Sequence, residues 1–291
     1  MSNIVEIQSI TKKLSKRPVL KDLSLSVPQG SVVGLLGKNG AGKTTLLKCI
    51  LGFIKVDHGK ILTLNEDPWI LSDTAKARIG FVPQSFRPYP WLQAGQLIDY
   101  TASFYTHWNK ALVDRLVKEW GLDLSGKVSV LSEGEMQKLS IILSLGHEPD
   151  FLVFDEPVAS LDPAARRQFL REILDIVSQR SCTVFFSTHI TSDLERIADT
   201  VAVLKEGSID FCGALDDLKD AVKRIRLRTN KNIPVDYVME GALSQKINVH
   251  DALFTVRGFD QKKREALEKE FDTKIEVEDL NLEEIFLEMN R

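Results

Sequence analysis

One glycine-rich segment, at residues 37–44, constrains this chain more than any other part of its sequence. It reads GKNGAGKT, follows the apolar run 31–36 and precedes a helical pattern over 43–51. Without side chains at the glycines, the backbone can curl so that successive N–H groups point at phosphate oxygens. Strand, glycine loop and helix in this order predict a phosphate-binding loop, in which Lys43 reaches the β- and γ-phosphates and Thr44 ligates Mg²⁺.

A second motif, at residues 151–156, supplies carboxylates. It reads FLVFDE, an apolar run that ends in Asp155 and Glu156. Asp155, at the carboxyl end of the predicted strand, is placed to hold Mg²⁺ through its waters, and Glu156 is placed to polarise the water that attacks the γ-phosphate. Strands often end in polar turns, so this motif takes its meaning from the phosphate loop upstream.

Short apolar runs recur along the chain and indicate its fold class. Helix-like segments separate several of them, and strands that alternate with helices predict an α/β fold with a mainly parallel sheet covered on both faces. Residues 4–36 predict earlier strands of their own. The later runs lie at 61–64, 79–82, 151–154, 184–186 and 201–204.

Two regions depart from this alternation. Residues 85–150 contain no strand-like run, carry aromatic residues early and then show helical periodicity at 112–120 and 135–145, which predicts a helical insertion. Residues 219–291 combine helical with strand-like segments, including 247–249, and predict a small α+β domain after a first domain that ends at residue 218. The aromatic residues of the insertion are Phe86, Tyr89, Trp91, Tyr100, Phe104, Tyr105 and Trp108.

Composition excludes several classes of protein. The 291 residues include 38 basic and 41 acidic side chains, a net charge of −3, so no basic field of the kind that binds nucleic acid covers the molecule. The 3 cysteines form no C-x-x-C pair, which favours a reducing compartment. No secretory leader is recognisable, and no apolar run approaches the roughly 18 residues of a membrane helix. We expect a soluble chain without a nucleic-acid partner.

The order of the motifs resembles that in the nucleotide-binding subunits of ATP-binding cassette (ABC) transporters, over about residues 4–213. The phosphate loop is similar to the Walker A motif of that family, and 151–156 to its Walker B motif. The resemblance implies a P-loop NTPase cassette with a RecA-like parallel core, an antiparallel β subdomain and a helical subdomain. Further matches, in chain order, are Gln84 (Q-loop), 131–135 LSEGE (the LSGGQ signature), 160–162 SLD (D-loop) and His189 (switch histidine).

The same resemblance implies residue roles, with ATP and Mg²⁺ as the ligands. It implies catalytic roles for Glu156, His189 and Gln84, and Mg²⁺ binding by Thr44, Gln84 and Asp155. Simpler alternatives remain, since Gln84 alone would be a polar residue at a strand end and His189 alone an ordinary core or loop histidine. The implied nucleotide-binding residues are Gly37, Lys38, Asn39, Gly40, Ala41, Gly42, Lys43, Thr44, Thr45, Ser132, Gly134 and Leu14.

The signature and the adenine site depart from the family pattern. Glu133 replaces the first glycine of the signature and Glu135 its glutamine, whereas Ser132 and Gly134 keep the groups expected to face a γ-phosphate on the opposite subunit. Alternatively, Ser132 is only a helix N-cap and the two acids stabilise the helix N-terminus. Leu14 stands where many family members stack adenine on an aromatic ring, which predicts loose base selectivity.

The resemblance also implies partners. Residues 206–291 resemble the C-terminal extension of the ABC-2 type branch, whose bacterial members energise exporters. We expect an ATPase that dimerises around ATP and Mg²⁺, as a homodimer or a related heterodimer, and drives a separate ABC-2 type transmembrane subunit from the inner, cytoplasmic face of the cell membrane. The aromatic residues of the insertion either line the groove for that subunit or form the core of the insertion. The alternatives are a soluble ABC ATPase without a transport role and a nucleotide-regulated module with weak hydrolysis.

Overall fold

The computed structural model describes residues 2–86, 88–158 and 160–290, and the chain divides into two compact units. The second unit begins at Gly213 and also includes Ile190–Glu195, while the remainder, up to Cys212, forms the first unit. The domain boundary expected after residue 218 falls within a helix, Leu215–Ala221, that lies wholly in the second unit.

Two β-sheets are built from the strands of the chain up to residue 214. Short 3₁₀ turns lie at Pro68–Ile70 and Val128–Val130. The elements in chain order are β1 (Asn3–Leu14), β2 (Arg17–Pro28), β3 (Val32–Leu36), α1 (Lys43–Ile50), β4 (His58–Thr63), α2 (Asp73–Lys76), β5 (Ile79–Val82), α3 (Ala94–Ala102), α4 (Lys110–Glu119), α5 (Glu133–Leu145), β6 (Phe151–Asp155), α6 (Pro163–Arg180), β7 (Thr183–Thr188), α7 (Thr191–Ile197), β8 (Thr200–Lys205) and β9 (Ser208–Ala214).

The larger sheet has 6 strands in the order β5-β6-β7-β3-β8-β9. All neighbouring pairs from β5 through β8 are parallel, which confirms the predicted α/β fold. Every residue of β3, β6 and β7 is buried, because the middle strands of such a sheet are covered on both faces and read as nearly continuous apolar runs. Their carboxyl ends meet at one edge of the sheet and lead into the glycine loop, Glu156 and His189.

The smaller sheet is antiparallel, in the order β2-β1-β4, and corresponds to the antiparallel subdomain that the resemblance implies. A tight turn at Ser15 and Lys16, both with positive φ, joins β1 to β2. Apolar side chains on one face of this hairpin, including Ile10 and Leu20, are fully buried in the core that also contains Leu35 of β3. The hairpin therefore shares its hydrophobic core with β3, the strand that leads into the glycine loop.

The segment between β5 and β6 is helical and contains α3, α4 and α5. The periodicity at 112–120 and 135–145 correctly predicts α4 and α5. Helix α3 is not among the predicted helices; it is only 9 residues long and its first turn contains Gly95, a poor helix former. Helix α5 is buried along most of its second half, so it forms the centre of this subdomain.

Glu148 connects this helical segment to the end of α6. Its carboxylate accepts hydrogen bonds from His107 and Asn109 and pairs with Arg180. Burial raises the pKa of Glu148, but hydrogen bonds from Asn109, His107 and Arg180 outweigh burial and lower the pKa from an ordinary 4.5 to about 2. The ionised carboxylate therefore stabilises the junction.

We expect acid to weaken this junction. Because the pKa of Glu148 is lower in the folded chain than in the unfolded one, its stabilisation, about 2 kcal/mol, is complete above about pH 4.5 and is lost as the pH falls toward 2. Glu148→Gln should therefore lower the free energy of unfolding at neutral pH and leave it almost unchanged at about pH 2. Urea unfolding over this pH range measures the effect, with the exposed Glu119→Gln as control. Parallel pH profiles for wild type and Glu148→Gln would contradict the assignment.

The second unit contains a 4-stranded sheet of antiparallel pairs, in the order β11 (Ala242–Ile247), β12 (Asp251–Arg257), β10 (Val222–Arg228) and β13 (Glu276–Asp279). Its core joins Ile225 and Phe254 to Leu267 and Phe271. The strand expected at 247–249 lies earlier, because Asn248 forms the turn that follows it and its N–H donates to the Asp251 carbonyl oxygen at 2.8 Å. Each helix among the described residues is too short or too polar to span a lipid bilayer. The elements are α8 (Leu215–Ala221), β10 (Val222–Arg228), β11 (Ala242–Ile247), β12 (Asp251–Arg257), α9 (Gln261–Phe271), β13 (Glu276–Asp279) and α10 (Leu282–Met289).

Candidate functional site

The glycine loop, residues 37–42, leaves the buried strand β3 and ends at the first residue of α1. Gly40 and Gly42 have φ values of +83° and +111°, in the region that favours glycine. A Cβ at Gly42 would also lie only 3.1 Å from the Val19 carbonyl oxygen. Backbone conformation and the neighbouring hairpin both disfavour a side chain here, and glycine allows the curled form that a phosphate site needs.

Lys43, the first residue of α1, is buried and reaches back over the loop. Its Nζ donates to the Gly37 carbonyl oxygen at 2.7 Å and pairs with Glu156 Oε1 at 3.2 Å. Thr44 and Thr45 follow in the same helical turn and are half-buried. Because the N-terminus of α1 carries positive partial charge beside the Lys43 ammonium, this point of the site favours an anion.

Asp155 ends β6 and is almost fully buried. Its Oδ1 accepts a hydrogen bond from Ser187 Oγ at 2.7 Å, and the two residues are direct partners in the pairing of β6 with β7. Ser187 is not among the predicted site residues. The available signal is its place directly after the apolar run 184–186 and two residues before His189, where a buried polar residue at the end of a strand needs a partner.

Glu156 lies between the lysine and the histidine. Its Oε2 is 2.5 Å from His189 Nδ1, while its Oε1 pairs with Lys43. The backbone of Glu156 has a φ of +51°, a left-handed conformation that is uncommon for a residue with a Cβ. In this conformation one carboxylate, only 8% exposed, contacts both Lys43, which the glycine loop predicts to reach the β- and γ-phosphates, and His189, to which the resemblance gives a catalytic role.

The fold thus brings Lys43, Asp155, Glu156 and His189 into one contiguous cluster, which we call the acidic cluster. The sequence predicts these residues from separate segments. The Asp155 carboxylate and the hydroxyl of Thr44 are hard oxygen ligands, and Mg²⁺ is usually held by one or two such protein groups together with substrate phosphates. The residues present therefore fit Mg²⁺ bound with a nucleotide.

Ser132 is the N-cap of α5 and is engaged by Glu135. Ser132 Oγ donates to Glu135 Oε2 at 2.6 Å, and the Ser132 N–H donates to the same oxygen at 2.8 Å. These hydrogen bonds from the hydroxyl and the backbone of Ser132 lower the pKa of Glu135. The acid at this signature position forms a capping box, which stabilises the helix start. Ser132 must leave Glu135 before its hydroxyl can donate to another acceptor.

Gln84 lies in other surroundings. It is exposed and lines a cavity of about 540 Å³, which we call the Q-loop cavity. In the described part of the chain it is not among the residues that bond to Asp155 or Glu156. A Cβ on Gly134 would lie 3.1 Å from the Ser160 carbonyl oxygen, so the signature is packed against the D-loop beside this cavity. The cavity lining includes Gln84, Phe86, Leu131, Glu133, Gln137 and Ser160.

Leu14 lies at the end of β1, beside the turn of the β1–β2 hairpin, and is 40% exposed. Further along the hairpin, Val19 and Leu20 approach Gly42 of the glycine loop. The hairpin therefore adjoins the loop and presents an exposed apolar side chain of the kind that can pack against a base without aromatic stacking.

The aromatic residues of the helical segment separate into a surface group and a packed group. Trp91 and Phe104 of the surface group are 68% and 67% exposed. Tyr105 instead stacks on His147 with ring centroids 4.1 Å apart, and Trp108 lies 6.0 Å from Tyr105. The core alternative thus describes Tyr105 and Trp108, while a groove lined by the surface group stays a prediction. The surface group, which we call the aromatic row, makes edge-to-face contacts through Trp91, Tyr89, Tyr100 and Phe104.

The chain is similar to several known proteins. A family model described as "ABC transporter" matches residues 20–159. The ABC transporter ATP-binding protein YtrB of Bacillus subtilis (strain 168) is 28% identical over 291 residues, which cover 98% of this chain and 97% of that protein. The bacitracin transport ATP-binding protein BcrA of Bacillus licheniformis is 32% identical over 211 residues, 72% of this chain and 69% of BcrA. A solved structure of an ATP-binding subunit of an ABC transporter superposes with a TM-score of 0.68 at 27% identity, covering 75% of this chain and 92% of that one.

Proposed function

This chain belongs to the ABC transporter family of ATP-binding proteins and is an ATPase, and we propose that it energises an ABC-2 type exporter. In this proposal it dimerises with itself or a related subunit around ATP and Mg²⁺ and drives a separate transmembrane subunit from the cytoplasmic face of the membrane. The contiguous acidic cluster is the observation that carries the catalytic part. Similarity to YtrB over 98% of this chain, second unit included, and similarity to a bacitracin transport protein support the transport part.

Each residue of the site has a proposed role. The N–H groups of the glycine loop and the Lys43 ammonium bind the β- and γ-phosphates. Thr44 and Asp155 would hold Mg²⁺, and Gln84 would join them only after leaving the Q-loop cavity that it lines. Bound Mg²⁺ offsets the negative charge of the phosphates. Glu156 accepts a proton from the attacking water, and His189 contacts the γ-phosphate. Ser132 and Gly134 act on the nucleotide of the opposite subunit, and Leu14 packs against the base.

The contacts of Glu156 imply that ATP competes with this carboxylate. Glu156 holds the Lys43 ammonium at 3.2 Å and the His189 ring at 2.5 Å, and these are the groups proposed to receive the γ-phosphate. A nucleotide triphosphate therefore has to replace Glu156 as their anionic partner, which frees the carboxylate to face water. Nucleotide binding and the rearrangement of the catalytic base therefore occur together, because the contacts that displace Glu156 form only with the triphosphate.

The helical segment is the proposed docking site for the transmembrane subunit. The aromatic row is exposed, and the Q-loop cavity lies among Gln84, Phe86 and the signature. Exposed aromatic side chains are typical anchors at protein interfaces because they bury a large area at low entropic cost. Through Gln84, a partner seated here would be linked to the ATP site.

Trp91→Ala tests this docking site. We expect recovery of the complex to fall by about tenfold or more when the chain is co-expressed with the proposed transmembrane subunit and purified in detergent, since a central aromatic anchor is lost. Affinity for ATP should stay within about twofold, because Trp91 is not part of the acidic cluster. The exposed Trp69→Ala is the matched control. Normal recovery of the complex with Trp91→Ala would refute docking at the aromatic row.

A further inference from the structure

The hydroxyl of Ser187 lies between the two acids at the end of β6. Ser187 is fully buried, and its Oγ donates to Asp155 Oδ1 at 2.7 Å. The same Oγ accepts the backbone N–H of Glu156 at 3.1 Å. One side chain thus contacts the carboxylate of the first acid and the backbone of the second, and uses both its donor and an acceptor lone pair to do so.

Packing does not require a serine at this position. The neighbouring residues Phe185 and Phe186 are apolar and fully buried, and an apolar side chain of similar size would fill the same space. A buried hydroxyl is costly unless it is hydrogen-bonded, so its presence in the middle of the sheet calls for partners. Among the described residues, its hydrogen-bond partners are the carboxylate of Asp155 and the backbone N–H of Glu156, the two acids of the proposed reaction.

The conformation of Glu156 supplies a second argument. A φ of +51° is unfavourable for a residue with a Cβ and persists where surrounding contacts hold it. Both acceptors of the Glu156 N–H belong to Ser187, the carbonyl oxygen and Oγ, each at 3.1 Å. Ser187 therefore anchors the backbone from which the Glu156 carboxylate reaches Lys43 and His189.

We propose that Ser187 is a positioning residue for ATP hydrolysis, which orients the Asp155 carboxylate for Mg²⁺ and fixes the backbone of Glu156. This inference rests on the proposed chemistry of ATP and Mg²⁺ at the acidic cluster. It assigns Ser187 no contact with the nucleotide. Loss of its hydroxyl should consequently affect the steps that need Mg²⁺ and leave binding of free ATP intact.

The test compares Ser187→Ala and Ser187→Thr with wild type in the full chain. For Ser187→Ala we expect the Mg²⁺ concentration for half-maximal hydrolysis to rise about tenfold and kcat to fall about tenfold, as for loss of a hydrogen bond to a charged group. Affinity for a fluorescent ATP analogue should weaken in Mg²⁺ but stay within about twofold in EDTA. Ser187→Thr keeps the hydroxyl and should recover most of the Mg²⁺ dependence.

Ser144→Ala is the matched control, because Ser144 is also a buried serine but donates only to the Ile141 carbonyl oxygen within α5. Thermal unfolding of the nucleotide-free variants monitors folding. If alanine lowers the melting temperature, Ser187→Cys preserves the volume with a weak donor, and the same shift in Mg²⁺ dependence is expected of it.

Wild-type Mg²⁺ dependence and kcat in Ser187→Ala would overturn the inference. An equal loss of affinity for the ATP analogue in EDTA and in Mg²⁺ would also overturn it, because such a loss indicates a general structural role for Ser187. If wild type binds and hydrolyses ATP without any dependence on Mg²⁺, the proposed use of Mg²⁺ at this site fails, and the inference fails with it.

Discussion

Replacing Glu156 with glutamine should abolish steady-state ATP hydrolysis while ATP binding becomes tighter. Glutamine cannot accept the proton of the attacking water, so we expect kcat to fall about 10²- to 10⁴-fold. It also removes the charge that holds Lys43 at 3.2 Å, so a triphosphate meets less competition. In the proposed cycle this variant accumulates as an ATP-bound dimer. Phosphate release and light scattering at saturating ATP measure the two effects.

Glu172→Gln is the control for this experiment. Glu172 is another buried carboxylate, held by both terminal nitrogens of Arg115 at 2.6 and 3.0 Å, and it lies outside the acidic cluster. Its replacement should leave kcat within about twofold of wild type. The role of Glu156 as base would be refuted by a glutamine variant that keeps a tenth or more of the turnover, roughly. A monomer at saturating ATP would refute the dimer.

Lys43→Met should weaken ATP binding about a hundredfold, because charge-assisted hydrogen bonds to the phosphates are lost while the apolar stem still packs. A second effect follows from the resting contacts. Without the lysine, the nearly buried Glu156 carboxylate keeps only its contact with His189, so the free energy of unfolding should drop by about 2 kcal/mol. Nucleotide titration and urea unfolding of the nucleotide-free chain measure these losses.

The double variant Lys43→Met/Glu156→Gln separates the two effects. It removes the unpaired charge, so we expect it to regain most of the lost stability while ATP binding remains weak. Equal stability of the single and double variants would show that the contact between Lys43 and Glu156 contributes nothing to the fold.

Several features of the fold and site are predictable from local sequence. The parallel sheet, the glycine loop, the paired acids and the helices α4 and α5 all follow from short-range patterns. The predictions miss where those patterns are weak: α3 is short and has a glycine in its first turn, and the strand expected at 247–249 ends at Ile247 because Asn248 begins a turn. Gln84 is recognisable in the sequence, yet the structure places it in the Q-loop cavity and not against Asp155.

The sequence alone determined which chemical groups this protein has for the proposed binding of phosphate and Mg²⁺. The curl of the glycine loop and the position of the acids after a strand both depend on residues that are adjacent in the chain. The folded arrangement determined which groups meet. Ser187 and Asp155 are 32 positions apart, and the pairing of β6 with β7 joins them in a register that no local periodicity encodes. The same strand order sets Glu156 between Lys43 and His189, so its part as a competitor of ATP became visible only from the assembled sheet.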